Sequence, residues 1–184
     1  MKKQRPTIPI AEWKLATHLE ATREIQNQKG VPAYGCDCEW CFKWKHSLTV
    51  LLPKDLQEQL TRAGVELAHP TELYKFDSDK SGGCIRVVYH VVGKILEGPN
   101  QWTSTSTGEI LMYSTIRELP YLSLVVFPQS QSYDKAPVLK NTSSGNLVRI
   151  DFRLVIPNEV IESNVPSAPN KAFKRDSQRL AVLV

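Results

Sequence analysis

Nowhere in the sequence do apolar residues run on for the roughly 18 positions that a membrane-crossing helix needs. The basic start Met1-Lys2-Lys3-Gln4-Arg5 is followed by neither an apolar leader core nor a small-residue cleavage site. The expectation is a soluble, cytoplasmic protein without membrane contact. A glycine-rich phosphate loop, a His-Glu-x-x-His helix and a Ser-His-Asp order are also missing, which removes the commonest nucleotide-hydrolysing, zinc-protease and serine-hydrolase signatures. A basic interior is lacking too. The net charge of +4 is made of +3 in residues 1–30, +3 in residues 171–184 and −2 between them. The body is near neutral and has no clustered basic face for a nucleic-acid groove, so nucleic acid is not an expected partner. There is no internal repeat, and the residues carry no signal of oligomeric state.

What is present suits one core. A chain of 184 residues is the usual size of a single domain. Pro9 stands where a helix could open, and Trp13, Leu15, Ala16 and Leu19 form an imperfect apolar stripe before Gly30 and Pro32, which predicts a surface helix over about 10–28. Pro53 opens a second helix in which Leu56, Leu60 and Ala63 share a face until Gly64. Residues 70–74 suggest a helical turn, and 77–83 a loop.

The second half reads as strands. From Cys84 to Leu96, Ile85, Val87, Tyr89, Val91 and Ile95 alternate with Arg86, Val88, His90, Val92 and Lys94, with Gly93 marking a bulge or the close approach of another backbone. Further strands are expected at 110–116 and 122–127, broken at Glu118-Leu119-Pro120. Between 147 and 156, Val148, Ile150, Phe152, Leu154 and Ile156 alternate with Arg149, Asp151 and Arg153, predicting an antiparallel strand with one buried and one wet face. The fold expected is α+β: an antiparallel β-sheet core with two N-terminal-half helices packed on one face. Residues 1–157 form the domain. Residues 158–184, rich in Asn, Ser, Pro and charge, form a weakly ordered tail whose Leu180 to Val184 could dock as a tether.

Chemistry concentrates in the cysteines. Four could make two disulfides, but Cys36, Cys38 and Cys41 crowd into six residues, which suits a metal or redox site in a reducing compartment better than a stapling framework. Thiolates at that spacing can face one centre, and zinc takes four such ligands in a tetrahedron. His46 is a candidate fourth ligand by spacing, and Cys84 a longer-range one. A second Cys-x-x-Cys, which would make the signal strong, is missing. The redox alternative uses Cys38 and Cys41 with Lys43, Lys45 and His46 favouring thiolate, but lacks a βαβ setting. The third alternative is reduced cysteines packed beside Trp40, Phe42 and Trp44. His90 could serve as a general base only with a carboxylate or nucleophile across the sheet, and reads more simply as a cross-strand hydrogen-bonding residue. His18 and His69 read as helix-surface and turn residues.

The run Cys36 to Cys41, Leu52-Pro53-x-x-Leu56, Ala63-Gly64-Val65, Pro70-Thr71-Glu72-Leu73-Tyr74, Tyr89-His90-x-Val92-Gly93 and Phe152 to Pro157 resembles a family of small uncharacterised bacterial proteins with an N-terminal cysteine cluster and a β-rich second half. The resemblance spans about residues 34–157, departs at Ala63, where the family tends to have leucine, and implies no activity. The function expected is therefore a non-enzymatic protein–protein interaction module of the immunity-protein or adaptor kind, its partner another protein, with a structural or zinc-binding cysteine loop. A module needs only a surface, whereas an enzyme of this size usually shows a convergent acid, base or nucleophile. The alternative is a metal-dependent or thiol-based enzyme using Cys36, Cys38 and Cys41, with His46, His90 or Cys84.

Overall fold

Alternating apolar residues in two long segments set the architecture. The computed structural model describes residues 5–26, 28–46, 48–79, 82–140 and 146–157. The expected tail over 158–184, with its docking of Leu180 to Val184, lies outside the described residues. In chain order the elements are β1 (Thr7–Ile10), β2 (Trp13–Thr17), α1 (Leu19–Ile25), α2 (Glu39–His46), a 3-10 turn (Leu48–Leu51), α3 (Lys54–Arg62), β3 (Glu72–Asp79) and β4 (Gly82–Glu97). Then follow β5 (Trp102–Thr105), β6 (Gly108–Leu111), β7 (Ser114–Arg117), β8 (Leu122–Pro128), a second 3-10 turn (Gln129–Gln131) and β9 (Asn146–Pro157).

β4 and β9 pair antiparallel from Gly82 opposite Pro157 to Gly93 opposite Asn146. They are the centre of a seven-stranded antiparallel sheet ordered β1-β2-β4-β9-β8-β7, with β3 sharing the β2 edge of β4. Because side chains alternate across a strand, that register aims Ile85, Val87, Tyr89 and Val91 at one face together with Val148, Ile150, Phe152 and Leu154. The expected α+β class holds, and so do helices on that face: α2 and α3 cover it with Trp44, Leu56 and Leu60. Each of these leucines contributes about 1.5–3 kcal/mol by leaving water. α3 follows Pro53 and ends at Ala63 and Gly64, the latter at φ 92°, as its sequence predicts.

Four expectations are corrected. The helix over 10–28 is instead a hairpin, β1 and β2, followed by the short α1. The period of the buried residues explains this: Ile8, Ile10, Trp13, Leu15 and Thr17 alternate with more exposed neighbours, and Ala11 takes a left-handed φ of 50° in the turn. The helical turn at 70–74 and the loop at 77–83 are largely replaced by the β3–β4 hairpin, whose entry is fixed by the Thr71 amide donating to Val88 O at 2.8 Å. The strand over 110–116 is two, since β5 and β6 form a separate hairpin and β7 starts afresh at Ser114.

The fourth correction concerns the face expected to be wet. Val88, His90, Val92, Arg149 and Asp151 are all fully buried. α1 lies on this second face, packing Ala21 and Ile25 against Val92, with Leu139 beside them. The segment from Pro128 to Lys140 crosses the same face. It is held to the end of α1 by a paired amide bond: Gln28 donates to Val138 O at 2.9 Å and accepts from Val138 N at 2.8 Å.

Candidate functional site

The cysteine loop connects α1 to α2 and is pinned at its middle, where the Ala33 amide donates to Thr71 O at 3.0 Å. Left-handed Gly30 and Gly35, at φ 100° and 64°, let the chain double back before Cys36, a conformation other residues adopt only with strain. Cys38 then accepts the Phe42 amide at 3.0 Å through its carbonyl, the first helical turn of α2. Trp44 anchors that helix to the sheet: its indole N–H lies 2.8 Å from Leu67 O and 3.0 Å from the Tyr89 hydroxyl, and the Tyr89 hydroxyl donates to Leu67 O. On the same helix, Trp40 packs over Gly83 so closely that a Cβ there would come within 2.9 Å of its ring.

This frame brings three sulfurs together. The Sγ atoms of Cys36, Cys38 and Cys41 all lie within 4.8 Å of one another, and none is in a disulfide. Cys41 is buried and Cys38 exposed, so the cluster runs from core to surface. Its protons are unevenly held. The Cys38 amide and thiol donate to Cys36, with help from the Cys41 thiol and the Lys45 charge, and lower the Cys36 pKa. Burial pushes the Cys41 thiol up, as does its hydrogen bonding to the other two.

Of the sequence candidates, the fold gathers Cys36, Cys38 and Cys41 and leaves His46 and Cys84 outside the group. His46 turns back on its own helix, with Nδ1 2.8 Å from Phe42 O and its ring stacked on Phe42 at 4.2 Å between centroids. Cys84 sits on β4 between Asp77 of β3 and Val155 of β9. The trio fits a thiophilic cation. Zn–S bonds of ~2.3 Å in a tetrahedron place sulfurs about 3.8 Å apart, so an inward shift of about 1 Å closes the site. A cavity of about 280 Å³ borders Cys41, and Lys45, His69, Tyr34 and Pro70 are among its other walls.

Sequence reasoning missed a second constellation. On the covered face of the sheet, Arg149 pairs with both oxygens of Glu72 at 3.0 and 3.3 Å, with Asp151 at 3.1 Å and with Asp134 at 2.9 Å. Arg86 grips the same Asp151 through Nε at 2.9 Å and bonds Tyr74. Burial works against the Arg86 charge, but Asp151 overrides it and raises the pKa. Alternating signs at 149 and 151, which face His90 and Val88 in the register with Arg86 one step further along β4 opposite Arg153, were the available signal. Here the two guanidiniums and three carboxylates satisfy one another.

His90 adjoins this network, also fully buried. Gln129 donates from Nε2 to Asp134 O at 3.0 Å, so its Oε1 faces His90 Nε2 at 2.7 Å. Nε2 therefore faces an acceptor, and Nδ1 lies 2.8 Å from the Thr71 hydroxyl, which also donates to Val88 O at 3.0 Å. Burial lowers the His90 pKa to about 4, aided by Arg149 and opposed by Gln129. Both ring nitrogens are occupied by structural partners, the arrangement of a crosslink and not of a general base. Comparison with protein-family models, curated proteins and solved structures returned no match.

Proposed function

We propose that this chain is a non-enzymatic binding module whose cysteine loop is held by a thiophilic divalent metal, with zinc the ion best suited to three thiolates. The observation that carries the reading is the convergence of three sulfurs within 4.8 Å at the start of an anchored helix. Cys36 is already biased toward thiolate, the form a metal takes up. A metal there would tie the loop between α1 and α2 to the core through Cys41.

A protein partner suits the end of the molecule where the 3-10 turn at Leu48–Leu51 meets the turn before β8. Val50 and Leu119 are 72% and 88% exposed, and Arg117 ties the two turns together by donating to Leu51 O at 3.1 Å and Pro120 O at 2.8 Å. Such apolar exposure on a fixed scaffold is the material of a contact surface.

The uneven thiols favour one competing reading, in which Cys36 is a redox nucleophile and Cys38 or Cys41 resolves it. Metal analysis of protein purified under reducing conditions separates the two. The metal reading expects close to one equivalent of zinc in the wild type and loss of it in the C36S/C38S/C41S variant. Less than about a tenth of an equivalent, with no uptake on adding zinc, would sink it.

A further inference from the structure

We infer that the metal held by Cys36, Cys38 and Cys41 keeps its fourth coordination position for a small anionic ligand entering through the cavity beside Cys41. The inference rests on the metal reading above and goes beyond it by specifying what completes the site.

The first argument is a ligand count. Among the described residues, the potential metal-binding group contains three sulfurs and no fourth His, Cys, Asp or Glu ligand atom. Closed structural zinc sites have four protein ligands, whereas sites with three leave a position for a molecule from solution. The second argument is access. Cys41 is the innermost of the three thiols, yet it borders a cavity of about 280 Å³, close to the lower end of small-molecule sites. The cavity's walls include exposed Tyr34 and Gly35, so a ligand from solution can reach the innermost thiol through it.

The third argument is charge. Three thiolates on a divalent cation carry a net −1, so an added anion needs a neighbouring cation. Lys45 lines the cavity. His69 lines it too, its Nδ1 held 2.7 Å from Glu66. Tyr34 adds an aromatic wall, so the cavity suits a compact anion with a short apolar body. Lys45 acts here as a positioning residue for the ligand and is not a ligand to the metal.

Cobalt(II) substitution of the full chain, with azide as the probe, tests this. The thiolate-to-cobalt charge-transfer band reports the three sulfurs, and the ligand-field bands report the fourth position. We expect azide to shift the ligand-field bands saturably in the wild type. In Lys45→Gln the charge-transfer band should persist while azide affinity falls about tenfold, the effect of one desolvated charge pair. Ligand-field bands indifferent to azide, or equally responsive in Lys45→Gln, would overturn the inference while leaving the metal reading intact. A change of those bands in His69→Gln before azide is added would also overturn it, because His69 would then be closing the site. Absence of the charge-transfer band in the wild type would remove both the inference and the metal reading on which it rests.

Discussion

Arg149 and His90 show how much the meaning of a residue depends on what covers it. Arg149 is fully buried, and its charge is tolerable only because Glu72 and Asp151, themselves buried, surround it. Arg149→Ala leaves both carboxylates without that partner, and we expect a loss of about 3–5 kcal/mol in urea unfolding. Asp134, whose side chain is 45% exposed, contacts the same guanidinium from the solvent side. Asp134→Asn should cost less than about 1 kcal/mol. Equal losses in the two variants would contradict the layering of the network. His90 has its usual value near 6.5 in the unfolded chain and about 4 when folded. Between those values the unfolded chain holds the proton and the folded chain does not, so acid favours unfolding. The stabilisation is complete above about pH 6.5 and lost as pH falls toward 4, a span worth about 3 kcal/mol. In His90→Gln the difference in stability between pH 6.5 and 5 should shrink, and an unchanged slope would show that the ring is not held neutral by the fold.

At the scale of elements, Gly93 decides where β2 can lie. It faces Thr17 in the register, and a Cβ added there would overlap the carbonyl oxygen of Ala16. Gly93→Ala therefore pushes the β1–β2 hairpin off β4, with an expected cost of about 1–3 kcal/mol. Hydrogen exchange should speed up at Leu15 and Thr17 while the β4–β9 amides keep their protection, and uniform protection would refute this account. The close approach was legible in the sequence as a glycine inside a valine-rich strand. Its partner was not, because the preceding stretch combined a proline near its start with apolar residues whose spacing fits both a helix and a hairpin. Burial alternating at period 2 in Ile8, Ile10, Trp13 and Leu15 decided for strands once the edge of β4 was there to pair with.

For the whole molecule, the prediction is linkage between the cysteine loop and stability. A ligand that binds only the folded state at a hundredfold excess over its dissociation constant stabilises by about 2.7 kcal/mol. For a chain of this size that is roughly 5–10 °C in Tm. Zinc should raise the melting temperature by that order and a chelator should reverse it, with neither effect in C36S/C38S/C41S. An equal response in the variant would place the metal elsewhere.

The sequence by itself determined the antiparallel partnership of the two long alternating segments, the helix after Pro53 and the crowding of three thiols, because each of these is written in local spacing. Only the tertiary structure decided that the second face of the sheet is covered, that Arg149 and Asp151 are buried charges, and that His46 and Cys84 stand apart from the sulfurs. Those outcomes depend on which distant segments reach a given face, and alternation along one strand reports that its two sides differ without saying whether the polar side meets water or another layer of the same chain.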